Sequence, residues 1–233
     1  MSSGCQCEGK YANQVEGFAP ECIGHFWLFQ GLSSMELGAL VERAVQELYH
    51  GGGYIFHQGD PIDRIFLIKA GRVRLDKVFE DGSEILLDIR KAGDFLGEQL
   101  FSDDQTEFPV SAVCAEKTLI CGFSRAVFEQ LIREYPNIGL QVIKNMSRRI
   151  DSMSSRVECM SAIKLEDRLY NILSQMAREH GHQDSQDRVI GFPLTHEDLS
   201  FLVGAHRVSV TRAMKSLRNA GLVEQQKQQI VLL

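Results

Sequence analysis

Thr195 to Gly221, THEDLSFLVGAHRVSVTRAMKSLRNAG, is the stretch that decides the fold class. It reads as two short helices joined by a tight turn. In the second, Val210, Ala213, Met214 and Leu217 form one apolar stripe, while Val208, Thr211, Arg212 and Lys215 fall at i, i+3, i+4 and i+7 on another face. A helix that anchors one face and offers Thr, Arg and Lys on the other suits a DNA major groove, which admits a helix and displays acceptors that Arg can bridge. Thr195 is a helix N-cap with Asp198 three residues on, Gly204 stands where the first helix must end, and Gly221 closes the second. The apolar runs 189–192 and 229–233 flank the pair as strands, which predicts a winged helix-turn-helix. A small helical hairpin with solvated cations would carry the same residues.

The rest of the chain bounds that reading. Its 233 residues are 44% hydrophobic and 24% charged, ordinary for a globular protein with one or two domains. The net charge of −6 argues against a broad basic surface. Residues 195–233 nevertheless hold five Lys/Arg (Arg207, Arg212, Lys215, Arg218, Lys227) against three acids (Glu197, Asp198, Glu224), a local excess of 5 − 3 = +2. No apolar run is long enough for a membrane span, and MSSGCQCEGK at the N-terminus has no signal-peptide pattern. The expectation is a cytoplasmic protein with no membrane partner, whose six cysteines are thiols, metal ligands or redox groups rather than a disulfide framework.

Residues 1–30 carry Cys5, Cys7 and Cys22 with little periodicity. Ser33-Ser34-Met35-Glu36 opens a short helix through about Val45. Gly59, Gly71, Gly82 and Gly93 then punctuate the chain at spacings of 12, 11 and 11, with strand-like runs at 64–68, 73–79 and 84–89 and a later one at 118–123. Short strands at this spacing with Gly/Asp turns predict an antiparallel jelly-roll or β-roll barrel. Ser124 caps a helix to Tyr135, and Pro136 starts a longer one. There Ile143, Met146, Ile150, Met153, Val157 and Met160 repeat at 3, 4, 3, 4, 3, a narrow a/d seam that calls for a partner helix. A parallel homodimer would satisfy it, as would packing on the helix's own domain; the dimer also sets two reading helices one DNA turn apart on a palindrome. The expected architecture is α+β: a Cys-containing segment 1–30, a β-roll sensor 31–135, a dimerisation helix 136–162, and a winged helix-turn-helix 163–233.

This order of parts resembles the cyclic-AMP receptor protein/FNR (CRP/FNR) family of bacterial transcription regulators, over about residues 22–233. The resemblance is carried by Cys22-Ile-Gly-His-Phe-Trp-Leu-Phe-Gln-Gly-Leu-Ser, Ile65-Phe-Leu-Ile-Lys-Ala-Gly71, Ala92-Gly-Asp-Phe-Leu-Gly-Glu98 and His206-Arg-Val-Ser-Val-Thr-Arg212. It implies a homodimer with a cyclic-nucleotide-binding-like barrel, which senses a signal and orients the DNA readers, and which meets RNA polymerase at its promoters. It places Arg212 at the guanine-reading position, Arg207 at a second DNA contact, and Ser209 and Thr211 at phosphate or base edges; Lys215, on the cationic stripe, is a further candidate DNA contact. Val208 departs from the glutamate many members carry: valine cannot accept from cytosine N4 but can touch a thymine methyl.

For the signal, the resemblance points to a pocket around Gly97 and Glu98, with Phe108, Pro109 and Met153. Members that bind cyclic AMP hold its phosphate with an Arg-Ser pair; here Phe108-Pro109 stands at that place and supplies neither charge nor side-chain donor. Cyclic AMP is therefore not the expected effector, and an apolar small molecule suits these residues better. The oxygen-sensing branch of the family holds an iron–sulfur cluster. Cys22 and Cys121 align with two of its ligands and Cys5 and Cys7 could complete four thiolates, although Cys-x-Cys-x14-Cys differs from that branch's compact spacing. Cys121, alternating with Leu119 and Phe123, equally reads as a core residue. No P-loop, nucleophile elbow, metal-protease motif or carboxylate pair occurs, so the expectation is a regulator and not an enzyme; a sensor that docks a protein partner is the other class the residues allow.

Overall fold

The computed structural model describes residues 32–102, 104, 106–184, 187–226 and 229–233. The chain divides into two compact units, one running to Glu84 and from Asp88 to Arg148, the other made of Ile85–Leu87 and Arg149–Leu233.

In the first unit, Ser33 caps α1 (Ser34–Arg43) with a full capping box: its hydroxyl accepts from the Glu36 N–H and the Glu36 carboxylate accepts from the Ser33 N–H at 2.6 Å. The helix stops at Arg43, two residues short of the sequence expectation, because Val45 begins a strand. Eight strands follow: β1 (Val45–Tyr49), β2 (Tyr54–Phe56), β3 (Arg64–Ala70), β4 (Arg72–Val78), β5 (Glu84–Lys91), β6 (Phe95–Leu96), β7 (Ser111–Cys114) and β8 (Thr118–Ser124). They form two four-stranded sheets, ordered β1-β8-β3-β6 and β2-β7-β4-β5. Gly59, Gly71, Gly82 and Gly93, the evenly spaced glycines, all have positive φ. At Gly71, between β3 and β4, only glycine fits: φ is +91° and a Cβ would lie 2.5 Å from the Lys117 carbonyl oxygen.

β3 explains why its sequence is an unbroken apolar run. Ile65 and Leu67 face a cluster with Phe95, Cys121, Phe123, Phe128 and Ile138, whereas Phe66 and Ile68 face another with Phe56, Val73, Phe108, Ala112 and Ile120. A strand buried on both faces has no polar side to alternate with. Next come α2 (Arg125–Glu134), with its N-cap Ser124 accepting from the Val127 N–H, and α3 (Pro136–Met160). Two side-chain amides fix the first part of α3: the exposed Asn137 donates to Glu36 at 3.1 Å, and the buried Asn145 donates to Asp94 at 3.3 Å. Burial raises the pKa of Asp94, a cost partly offset by bonds from the Lys91 N–H and Asn145.

In the second unit, α4 (Leu165–His180) buries Leu169, Ile172, Leu173 and Met176. A polar group joins it to the end of α3: the Glu179 carboxylate accepts from the Ser152 hydroxyl at 2.7 Å and from the Gln175 amide at 2.8 Å. The helix pair α5 (His196–Val203) and α6 (Arg207–Asn219) packs on α4, and an antiparallel sheet ordered β11-β12-β10-β9 accompanies it, from β9 (His182–Asp184), β10 (Asp187–Ile190), β11 (Val223–Gln226) and β12 (Gln229–Leu232). The two flanking strands read from sequence are β10 and β12, which pair directly. α+β architecture with an antiparallel barrel, a long helix and a winged helix-turn-helix is thus the fold.

Candidate nucleic-acid interface and sensor site

α5 begins at a capping box that sequence spacing had outlined: the Thr195 hydroxyl accepts from the Asp198 N–H, and the Asp198 carboxylate accepts from the Thr195 N–H at 2.8 Å. Gly204, at φ +64°, ends it in the left-handed conformation that reverses the chain into α6. Val210, Ala213, Met214 and Leu217 are all buried, which fixes the roll of α6 about its axis. Arg207, Val208, Thr211, Arg212 and Lys215 consequently lie exposed, and Ser209 half-buried at the edge. Val208 is 63% exposed, far more than an aliphatic side chain with a packing role would be. The C-cap is Ala220, with Gly221 at φ +69° one residue further on.

Two contacts link the helices on this face. Arg207 Nε lies 3.8 Å from Glu197 Oε2, an exposed pair. His196 Nδ1 lies 2.9 Å from Thr211 Oγ1, and the Thr211 hydroxyl donates to the Arg207 carbonyl oxygen at 3.0 Å. Burial, and then the charges of Arg218 and Arg207, hold the His196 pKa below its ordinary value, so the ring is neutral near pH 7. His196 was not singled out in the sequence: its partner stands fifteen residues away on another helix.

In the barrel, Gly97 and Phe108 adjoin. Gly97 has φ +81°, and a Cβ built there would approach the Arg64 carbonyl oxygen to 2.7 Å and the Phe108 ring to 3.4 Å. Backbone bonds to the Gly59-Asp60 turn clamp Phe108: its N–H donates to the Asp60 oxygen and its oxygen accepts from the Gly59 N–H, both at 2.9 Å. Its ring is 3% exposed and stacks on Phe56 at 3.7 Å between centroids. Pro109 follows, half-buried. Glu98 faces inward onto Arg90, a buried residue that sequence reading passed over. Met153 belongs to the exposed apolar stripe of α3, with Ile143, Met146, Ile150, Val157 and Met160, and Leu140 extends that stripe toward the start of the helix.

Of the four cysteines expected as metal ligands, Cys5, Cys7 and Cys22 lie outside the described residues. Cys121 is fully buried in the apolar cluster with Ile65, Leu67 and Phe123. Among the described residues, no three His, Cys, Asp or Glu side chains converge as a metal site. Cys114 is also buried, which pushes its thiol up to about 11.

Residues 46–135 match the cyclic nucleotide-binding domain family, and residues 167–233 match the Crp-like helix-turn-helix domain. The chain belongs to the CRP/FNR family. It is a DNA-binding transcription regulator with a cyclic-nucleotide-binding-type sensor domain. It is 24% identical to a CRP-like cAMP-activated global transcriptional regulator of Mycobacterium tuberculosis over 212 residues, 91% of this chain and 94% of that one. It is 25% identical to the global nitrogen regulator of Synechocystis over 197 residues, covering 84% of this chain and 88% of the relative. In fold it is similar to the c-di-GMP-responsive global regulator CLP of Xanthomonas campestris, with a TM-score of 0.72 at 19% identity over 86% of this chain and 99% of that one. These relatives are transcription regulators, in agreement with a non-enzymatic role for this CRP/FNR member. Among the described residues no helix is long and apolar enough to cross a membrane.

Proposed function

We propose that this CRP/FNR protein is a homodimeric regulator that reads a palindromic operator with α6 and answers to a signal other than cyclic AMP. The observation that carries the reading is the division of α6: four buried apolar residues anchor it, and Arg207, Val208, Thr211, Arg212 and Lys215 are left on the outside. Arg212 reads guanine through its two-pronged guanidinium, Lys215 meets phosphate, and Val208 meets a thymine methyl. Dimerisation is supported by the α3 stripe, whose seven apolar residues from Leu140 to Met160 are each more than two-fifths exposed in the single chain. In this reading 31–135 is the sensor, 136–162 the dimer helix and 163–233 the reader that also meets RNA polymerase; α3, continuous from Pro136 to Met160, carries the signal as a shift between two populations.

The exclusion of cyclic AMP rests on Phe108 and Pro109. Where a ring phosphate would need a cation and donors, the chain places a buried aromatic stack and an imide nitrogen without a proton. An apolar or aromatic effector suits that lining better.

The test is binding of fluorescent duplexes selected from a random pool. Arg212→Ala is expected to weaken the selected duplex by about 1–3 kcal/mol, and Lys215→Ala to weaken all duplexes alike while lowering the salt dependence. Unchanged affinity for both variants would refute α6 as the reader. Excess cyclic AMP is expected to leave affinity where it was; a cyclic-AMP-dependent rise would overturn the assignment of the signal.

A further inference from the structure

The exposed cations of α6 do not account for His196. It stands on α5, yet its Nδ1 reaches Thr211 Oγ1 on α6 at 2.9 Å, while the same hydroxyl donates to the Arg207 carbonyl oxygen at 3.0 Å. A threonine hydroxyl has one proton. Given to the Arg207 carbonyl, it leaves the oxygen to accept from an N–H at His196 Nδ1; given to His196, it is equally spent inside the protein. Thr211 therefore has no donor for a phosphate or for the acceptor-rich purine edges of the major groove. Apart from a remaining acceptor lone pair, what the side chain still has to offer is its γ-methyl.

Val208, three residues earlier on the same face, is 63% exposed and carries two more methyls. Three helical residues rise about 4.5 Å, against about 3.4 Å per base step along a strand. The two side chains therefore meet the same or adjacent base pairs. Of the groups displayed in the major groove, the C5-methyl of thymine is the apolar one.

We propose that His196 is a positioning residue of the DNA reader: by holding the Thr211 hydroxyl inward it makes Val208 and Thr211 one methyl-lined patch, which selects thymines on adjacent base pairs of each half-site. This rests on α6 being the reading helix, and it turns Thr211 from a polar contact into an apolar one.

The test uses the full chain and its selected duplex, with each half-site thymine replaced in turn by deoxyuridine, which removes the methyl group alone. Two neighbouring thymines are expected to lose about fourfold in affinity each, the worth of one buried methyl-sized group. Thr211→Ser, which keeps the hydroxyl and deletes the methyl, should erase the penalty at one of them and leave the other. His196→Ala should shrink the penalty at that same position, with the thermal midpoint recorded alongside to separate it from unfolding. Indifference to uridine at every thymine in a duplex that still depends on Arg212 overturns this inference and leaves the DNA reading standing. Both penalties surviving Thr211→Ser overturn the role of Thr211, and both persisting at full size in His196→Ala overturn that of His196. Failure to select any sequence, with Arg212→Ala without effect, removes both the inference and the reading beneath it.

Discussion

Arg90 Nη1 lies 2.9 Å from Glu98 Oε1, and the same nitrogen donates to the Phe95 carbonyl oxygen at 2.9 Å. Its Nε is 2.9 Å from Asp88 Oδ2, so one guanidinium holds two carboxylates and a backbone oxygen inside the barrel. Glu98 is the acid of the Gly97-Glu98 pair, and here it is engaged by the protein itself.

Removing Arg90 takes its buried guanidinium away from both acids. The side chains of Arg90 and Asp88 are less than one-tenth exposed and that of Glu98 is 15% exposed. Arg90→Met is therefore expected to destabilise the barrel by about 3–5 kcal/mol, the usual cost of leaving a buried charge uncompensated. Adding Asp88→Asn and Glu98→Gln should return most of it, since the charges that needed Arg90 are then gone. Urea unfolding of the two variants checks this; a single variant as stable as the native chain would show that the triad carries no net stabilisation.

Gly97 is a position where conformation and space both demand glycine. Its φ of +81° disfavours any Cβ, and the one built there sits 2.7 Å from the Arg64 carbonyl oxygen, a backbone atom of β3 that cannot swing aside. Gly97→Ala is expected to cost at least about 2 kcal/mol, read as a drop in the thermal midpoint. Gly59→Ala, with positive φ but nothing near its Cβ, should cost less.

The α3 stripe predicts its own outcome. Ile150 is 63% exposed in the single chain, so a charge there adds no burial cost to a monomer, yet in a zipped pair two charges would face each other in an apolar seam. On the proposed dimer, the native chain is expected to sediment as a dimer and Ile150→Asp as a monomer at the same concentration, while the stability of the monomer shifts by no more than about 0.5 kcal/mol. A variant that still sediments as a dimer would place the interface elsewhere.

How much of this was legible in the sequence depended on how far apart the interacting residues lie. The two stripes of α6 were readable because their period is local, and burial follows them residue by residue. The middle of β3 was readable as an unbroken apolar run, and the barrel turns as regularly spaced glycines. β1, β2, β6 and β7 were not: they are two to five residues long and are defined by partners, as Val45–Tyr49 is by its register with Thr118–Gly122. α4 had a signal that went unread, since Leu169, Ile172, Leu173 and Met176 recur at helical spacing. Arg90 and His196 had none. An arginine in a strand and a histidine in a first turn are ordinary surface residues until the fold brings Glu98 and Thr211 to them.

His196 also supplies a pH dependence with a definite sign. In the folded chain its pKa lies below the ordinary 6.5, chiefly through burial and then through the positive charges of Arg218 and Arg207; Glu197, its neighbour on α5, is drawn toward Arg207. The unfolded chain thus takes up a proton at this residue before the folded one does, and stability falls wherever the unfolded state binds more protons as pH drops. The contribution of neutral His196 is complete above pH 6.5 and is lost as pH falls through its folded-state pKa. His196→Gln, which cannot titrate, should flatten the part of the stability profile of residues 163–233 that lies below pH 6.5 and leave the profile above it unchanged in shape. Hydrogen exchange of the α5 and α6 amides, compared on the two sides of that pH in both proteins, measures it. An identical acid slope in the variant would assign the proton uptake to another group.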